Sequence, residues 1–196
     1  TFSFYGNKTI TTGEGGMVLF KNKKHFELGK LLRDHGMSNN RRYWHEIVGF
    51  NYRMTNLQAA VGVAQMERFE EIIIKKREIF NFYNQNLTNL DGILKMPLYS
   101  NDFYNSSWLY TLILDSYINR EELINKLNQQ GIELRPSFCS LSEMPPYKDF
   151  RKSLCLKNSY LLSKNGVSLP SSIMLNKIQL KFIVQSFIKA LKNNFK

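Results

Sequence analysis

Apolar residues in this chain follow two spacings, and each spacing predicts a kind of element. TFSFY at the start and GGMVLF from Gly15 are apolar and aromatic runs of strand length, read as two buried strands either side of a polar loop. Phe26, Leu28, Leu31 and Leu32 then recur at helical spacing, predicting a helix from His25 to His35 with Gly36 as its stop. Residues 37–50, MSNNRRYWHEIVGF, carry no period and suit an ordered loop. Thr55 with Gln58 forms a capping-box pattern. From there Leu57, Val61, Ala64, Phe69, Ile73, Phe80, Tyr83 and Leu87 predict helix over 55–87. Unbroken, it would run ~50 Å, long enough to bridge two packing units.

The remainder is shorter in grain. Residues 88–106, with Gly92 and Pro97, read as irregular, and Trp108 to Leu114 as a strand. Asn119 caps a helix over 120–130, with Glu122 in its first turn, Leu123, Ile124 and Leu127 inward and Gly131 closing it. Ile132 to Leu134 reads as a second strand stopped by Pro136, and Pro145-Pro146 breaks the chain again. A helix is expected over 152–164, extended chain at 169–172, and a last helix capped by Asn176 that buries Leu180, Ile183, Val184, Phe187, Ile188 and Leu191. Strand, helix, strand in this order suggests a small α/β layer.

Composition narrows the class. The 196 residues are 43% hydrophobic, without an apolar run near the ~20 residues of a membrane span. Thr1 to Lys8 lack the pattern of a signal peptide, and Cys139 and Cys155 make no disulfide framework, so a reduced, cytoplasmic protein is the expectation. The +11 charge is dispersed except at the end, where residues 176–196 hold five lysines and no acid. That stretch reads as a solvated helix face or a phosphate-tracking patch, and the overall potential suits an anionic substrate.

Candidate chemistry concentrates in SFYGNKTITTGEGGMV, Ser3 to Val18. Lys8 is the only charged residue between Thr1 and Thr12, as a desolvated, reactive amine requires. Spacing alone favours an ordinary hairpin lysine, and the glycines do not spell a P-loop. Glu14 is expected to brace the turn. His35 and His45 stand ten residues apart without carboxylates to complete a metal site, so no metal is expected.

The same string resembles the lysine segment of the DegT-type, pyridoxal-phosphate-dependent sugar-nucleotide aminotransferases. GFNYRMTNLQAAVGVAQMERFEEII from Gly49, GIELRPSF from Gly131 and VSLPSS from Val167 resemble later family segments in the family's order. The resemblance implies an α/β fold: the C-terminal part of a fold-type I aminotransferase. Residues 1–54 would end the large cofactor-binding domain, 55–87 would be the long linking helix, and 88–196 the small domain. In the family the lysine lies mid-chain, so the resemblance implies a C-terminal portion whose other half carries the acid facing the pyridine nitrogen.

By the same resemblance Lys8 carries pyridoxal 5'-phosphate covalently and then, as a free amine, shuttles a proton. Ser3 matches a position whose hydroxyl contacts the cofactor phosphate. Asn51 lies in the segment the family sends to a partner subunit's phosphate, with Arg53 as the competing donor. Arg135 would grip a donor carboxylate or sugar diphosphate, or form a surface ion pair. His45 would touch substrate or pack in its loop. Ser142 stands where the family often has histidine. The implied reaction transfers an amino group from glutamate to a nucleotide-linked 4-keto-6-deoxy sugar, in a homodimer or higher oligomer with the site at the subunit interface. The reading from another class is a non-catalytic fragment that binds a partner subunit or polyanions.

Overall fold

The computed structural model describes residues 1–97, 105–147, 149 and 156–193. The chain divides into two compact units, Thr1–Glu71 and Ile72–Lys196.

In the first unit, β1 (Phe2–Ser3) pairs antiparallel with β2 (Gly16–Met17), in the register Phe2 with Met17 and Ser3 with Gly16. The expected buried strands are thus two residues each, and Phe2, Met17 and Val18 are exposed. A two-stranded ribbon covers neither of its own faces. Helix α1 (Lys23–Arg33) begins two residues earlier than its pattern indicates because Asn22 caps it, accepting from the amides of Lys24 and His25. Its end follows the glycine: Gly36, at φ +66°, donates its amide to Leu31 at 2.8 Å.

The periodicity of 55–87 becomes two helices, α2 (Asn56–Glu67) and α3 (Phe69–Leu87), which meet at Arg68. The capping box forms as expected. Gln58 donates its amide to Thr55 Oγ1 at 3.2 Å, and its side chain accepts from the Thr55 amide at 2.9 Å.

The second unit is a four-stranded antiparallel sheet, β3 (Ile93–Lys95), β4 (Tyr110–Leu114), β5 (Arg135–Pro136) and β6 (Gly166–Leu169), in the order β3-β4-β6-β5. Alternation along β4 sends Tyr110, Leu112 and Leu114 into the core, leaving Thr111 and Ile113 on the other face. The core joins these to Phe80, Tyr83 and Leu87 of α3, Leu123 and Leu127 of α4 (Arg120–Asn128), and Leu180, Val184 and Phe187 of α6 (Lys177–Lys192).

Strand β3 falls inside the stretch expected to be irregular. The strand expected at Ile132–Leu134 is displaced: Ile132 and Leu134 are core residues, and the pairing is made by Arg135 and Pro136. Proline is tolerated there because β5 is an edge strand. Extended structure near 169–172 likewise begins earlier, at Gly166. Helix α5 (Lys157–Asn165) covers the later part of the helix expected over 152–164, and residues 152–155 lie outside the described residues.

Buried and half-buried polar groups fasten these layers together. Arg120 Nη1 donates to the carbonyls of Ser163 (2.6 Å) and Gly166 (3.3 Å), capping the C-terminal end of α5. Asn165 Nδ2 donates to Leu114 O at 3.0 Å. Lys76 of α3 is buried, and its ammonium donates to the carbonyls of Trp108 (3.1 Å) and Ser171 (2.7 Å). Burial pushes its pKa down from the ordinary lysine value. Among the described residues no helix is long and apolar enough to cross a membrane.

Candidate active site

Lys8 sits in the loop between β1 and β2, half-buried. Its own amide donates to Tyr5 O at 2.9 Å, turning the chain just before it. Beyond it the loop folds back on Phe4. The Thr12 amide donates to Phe4 O at 2.9 Å, the Thr11 hydroxyl donates to the same oxygen at 3.0 Å, and the Phe4 amide donates to Gly15 O at 2.9 Å. Thr11 Oγ1 also accepts from the Gly13 amide at 2.8 Å, and the Thr12 hydroxyl donates to Glu14 O at 2.8 Å. Glu14 therefore closes this turn through its backbone carbonyl.

The hydroxyl run after Lys8 is thus a set of short-range locks that hold one loop shape around one amine. Two glycines here are required by packing. A Cβ on Gly15 would stand 2.3 Å from Thr12 Oγ1 and 3.0 Å from Met54 Cε. One on Gly62 of α2 would stand 2.9 Å from Thr12 Cγ2, and Gln65 Oε1 accepts from the Thr11 amide at 3.4 Å. Helix α2 approaches the lysine loop closely through a surface of small residues. Ser3 lies on β1 at the foot of the same hairpin, exposed, with Oγ 3.4 Å from the Tyr5 amide.

Asn51, Arg53 and His45 belong to the second loop of the same unit. Residues 50–52 run antiparallel to the end of α1. Phe50 and Tyr52 donate their amides to Leu32 O (2.7 Å) and Arg33 O (2.9 Å), and His35 returns its amide to Phe50 O at 2.9 Å. Asn51 thereby pairs with Asp34, and the Phe50 and Tyr52 rings stack at 5.2 Å. The loop closes on a crossing of Gly36 and Gly49, where a Cβ on Gly49 would stand 2.2 Å from Gly36 N.

Arg53 Nη1 lies 3.4 Å from Asp34 Oδ1, an ionic contact outside hydrogen-bond geometry, and its side chain is 57% exposed. Asn51 is exposed, so its amide and the Arg53 guanidinium share one accessible edge of this loop. His45 Nδ1 lies 2.9 Å from His35 O. A carbonyl only accepts, so Nδ1 carries the proton and Nε2 is left as the basic nitrogen. The histidine pair is a loop contact, and among the described residues no group of three His, Cys, Asp or Glu side chains could hold a metal.

Arg135 lies in the second unit, on β5, with Nε 3.0 Å from Glu133 Oε1 and both side chains exposed. Ser142 joins a hydroxyl chain, 2.9 Å from Ser140 Oγ and donating to Tyr160 OH at 3.1 Å. One unit therefore holds Ser3, Lys8, His45, Asn51 and Arg53, and the other holds Arg135. Thr11, Thr12 and Gln65 escape a reading by residue type because they act on the lysine's loop; the signal for the two threonines is the dense TITT run itself.

The donor set suits pyridoxal phosphate in kind. Lys8 offers a primary amine for the cofactor's aldehyde, and Ser3, Asn51 and Arg53 offer hydroxyl, amide and guanidinium donors for a phosphate dianion. These residues lie in a chain that belongs to the DegT/DnrJ/EryC1/StrS aminotransferase family, whose pattern it matches over residues 1–188. It is similar to the GDP-perosamine synthase of Escherichia coli O157:H7, 38% identical over 187 residues, covering 95% of this chain and 50% of that protein. It is also similar to the putative pyridoxal phosphate-dependent aminotransferase EpsN of Bacillus subtilis, 35% identical over 177 residues, 87% of this chain and 44% of that one. The fold matches Helicobacter pylori PseC, an aminotransferase involved in the biosynthesis of pseudoaminic acid. There the TM-score is 0.87 at 24% identity, over 98% of this chain and 53% of that one. The chain spans about half the length of the curated relatives it matches.

Proposed function

We propose that the chain carries the lysine half of a sugar-nucleotide aminotransferase. It would convert GDP-4-keto-6-deoxymannose to GDP-perosamine, with glutamate as amino donor, for surface-polysaccharide biosynthesis. The observation that carries this reading is the hairpin: a single lysine presented by a loop locked through Phe4, Thr11, Thr12 and Gly15, in a chain 38% identical to a GDP-perosamine synthase.

Pyridoxal phosphate, when bound, supplies the electron sink that makes amino transfer possible. The Lys8 amine would hold the cofactor and, once released from it, would deliver a proton to C4 of the sugar. Locking of the loop fixes where that amine points, which lowers the cost of orienting it during reaction. The Ser3 hydroxyl and the Asn51 amide, with Arg53 beside it, donate to the phosphate, and a guanidinium adds charge to that grip. The Arg135 guanidinium takes a carboxylate or diphosphate, exchanging its exposed bond to Glu133. His45 Nε2 accepts from a substrate hydroxyl. The assembly in this reading is a homodimer or higher oligomer, with Asn51 serving the partner's phosphate.

The test is amino transfer from glutamate to GDP-4-keto-6-deoxymannose, with the UDP-linked 4-keto sugar as comparison. The reading expects the intact enzyme to aminate the GDP sugar, and Lys8→Ala and Lys8→Arg within it to lose turnover altogether. Appreciable transamination by either variant would remove Lys8 from the mechanism, and preference for the UDP sugar would change the substrate.

A further inference from the structure

We propose that the outward face of α6 (Lys177–Lys192) docks on an anionic lipid surface, the helix lying on the bilayer without spanning it. At about 100° per residue, Lys181, Phe182, Gln185, Lys189 and Lys192 all fall within about 60° of Ile178. Leu180, Val184 and Phe187 point the other way, into the core. One face of the helix therefore packs in the fold, and the other is turned to water.

The outward face mixes exposed apolar side chains with cations. Ile178 is 80% exposed and Phe182 48%, and Met174, in the turn before the helix, is 83% exposed. That turn is tied down: the Met174 amide donates to Ser172 Oγ at 3.3 Å, and the Leu175 amide to Ser172 O at 3.1 Å. Lys181, Lys189 and Lys192 are exposed beside the apolar residues. Residues 176–196 contain no acid.

Folding accounts for only part of this charge. Among the described residues no ion pair reaches Lys177, Lys181, Lys189 or Lys192. Helix α4 packs against α6, and both of its acids are paired within α4: Glu121 with Arg120 at 2.9 Å and Glu122 with Lys126 at 2.6 Å. Lys189 and Lys192 suit the negative end of α6. Lys177 stands at the positive end, where a cation is unfavourable and no acid in the first turn offsets it.

The lysines alone would suit any polyanion, and the apolar residues select among them. A nucleic-acid backbone offers phosphates without an apolar layer, and an aliphatic side chain such as Ile178 gives no ring for a base to stack on. An anionic bilayer offers both. Ile178 and Phe182 enter the boundary between headgroups and acyl chains, while the lysine stems lie along it and their ammonium groups meet lipid phosphates.

Sedimentation with lipid vesicles tests this, on the chain and on the intact enzyme that contains it. Both are expected to pellet with vesicles of equal parts phosphatidylglycerol and phosphatidylcholine, and to stay in solution with phosphatidylcholine alone. Combining Lys181→Gln, Lys189→Gln and Lys192→Gln should lower the partition coefficient roughly a hundredfold. Ile178→Ser with Phe182→Ser should lower it at least about tenfold. All five side chains are exposed, and circular dichroism is expected to show both variants folded. No binding to the anionic vesicles, equal binding to phosphatidylcholine alone, partition that neither variant weakens, or binding by the chain but not by the intact enzyme would overturn the proposal. So would random duplex DNA that binds more tightly than the vesicles and loses affinity only in the lysine variant, which would make the face a nucleic-acid contact. Cofactor, sugar and amino donor are absent from these measurements, so this result and the transamination assay fail independently.

Discussion

Replacing Tyr83 by phenylalanine removes one oxygen from the centre of the second unit. That side chain is fully buried against Tyr110, centroids 4.8 Å apart, and its hydroxyl donates to Pro170 O at 2.7 Å. At pH 7 the substitution loses this bond and leaves the proline carbonyl without that donor, a cost of about 1 kcal/mol. The sign changes in alkali. Burial pushes the Tyr83 phenol far above its ordinary value of 10.0, so the folded protein keeps the proton while the unfolded chain releases it. Stability from this group is therefore complete below pH 10 and is lost as pH rises above it. By linkage the wild type gives up about 0.4 kcal/mol at pH 10 and about 1.4 kcal/mol at pH 11, and Tyr83→Phe gives up none of it. The variant should be the less stable protein at neutral pH, cross the wild type near pH ~10.6, and be the more stable one at pH 11. Urea unfolding followed by circular dichroism at a series of pH values reads this directly, with the denaturant slope as a check that the same unit unfolds. Other titrating groups are common to both proteins and cancel in the difference. A difference that stays constant from pH 7 to 11 would show that Tyr83 ionises as easily folded as unfolded, refuting the burial argument.

Two further substitutions probe the rest of the chain. Gly49→Ala drives a methyl to within 2.2 Å of Gly36 N and 2.5 Å of His35 C, both backbone atoms, and should cost about 1–3 kcal/mol. Amide exchange at Phe50 and Tyr52 should accelerate with it, and unchanged exchange would mean the crossing does not hold Asn51. Lys76→Met should abolish a rise in stability with pH. In the wild type the lowered lysine pKa means the unfolded state binds more protons, so stability grows from that lowered value up to about 10.5; a variant with the same slope as wild type would contradict this.

The sequence made some of these features legible and hid others, for physical reasons. Helix starts at Thr55, Asn119 and Asn176 could be read because each depends on a side chain three residues from its partner. The core face of α6 could be read because its inward residues keep one period, with Ile188 only partly buried. The break at Arg68 could not, since no glycine or proline marks it. Helix α2 is uncharged from Asn56 to Met66, and its few polar residues do not set off one apolar face to choose. Strands β3 and β5, three and two residues long, are shorter than any alternation that could announce them. In the lysine segment the amine itself stands out by composition. The reason for its hydroxyl neighbours appears only when Thr11 and Thr12 are seen closing on Phe4 and Glu14.

The most direct test of the account asks where the cofactor attaches. The protein is incubated with pyridoxal phosphate, reduced with borohydride to make any lysine bond permanent, digested, and mapped by mass spectrometry. The account predicts that the label falls on the peptide containing Lys8 and nowhere else among the chain's lysines. A label on Lys76 or on the lysines of α6, with Lys8 unmodified, would contradict it.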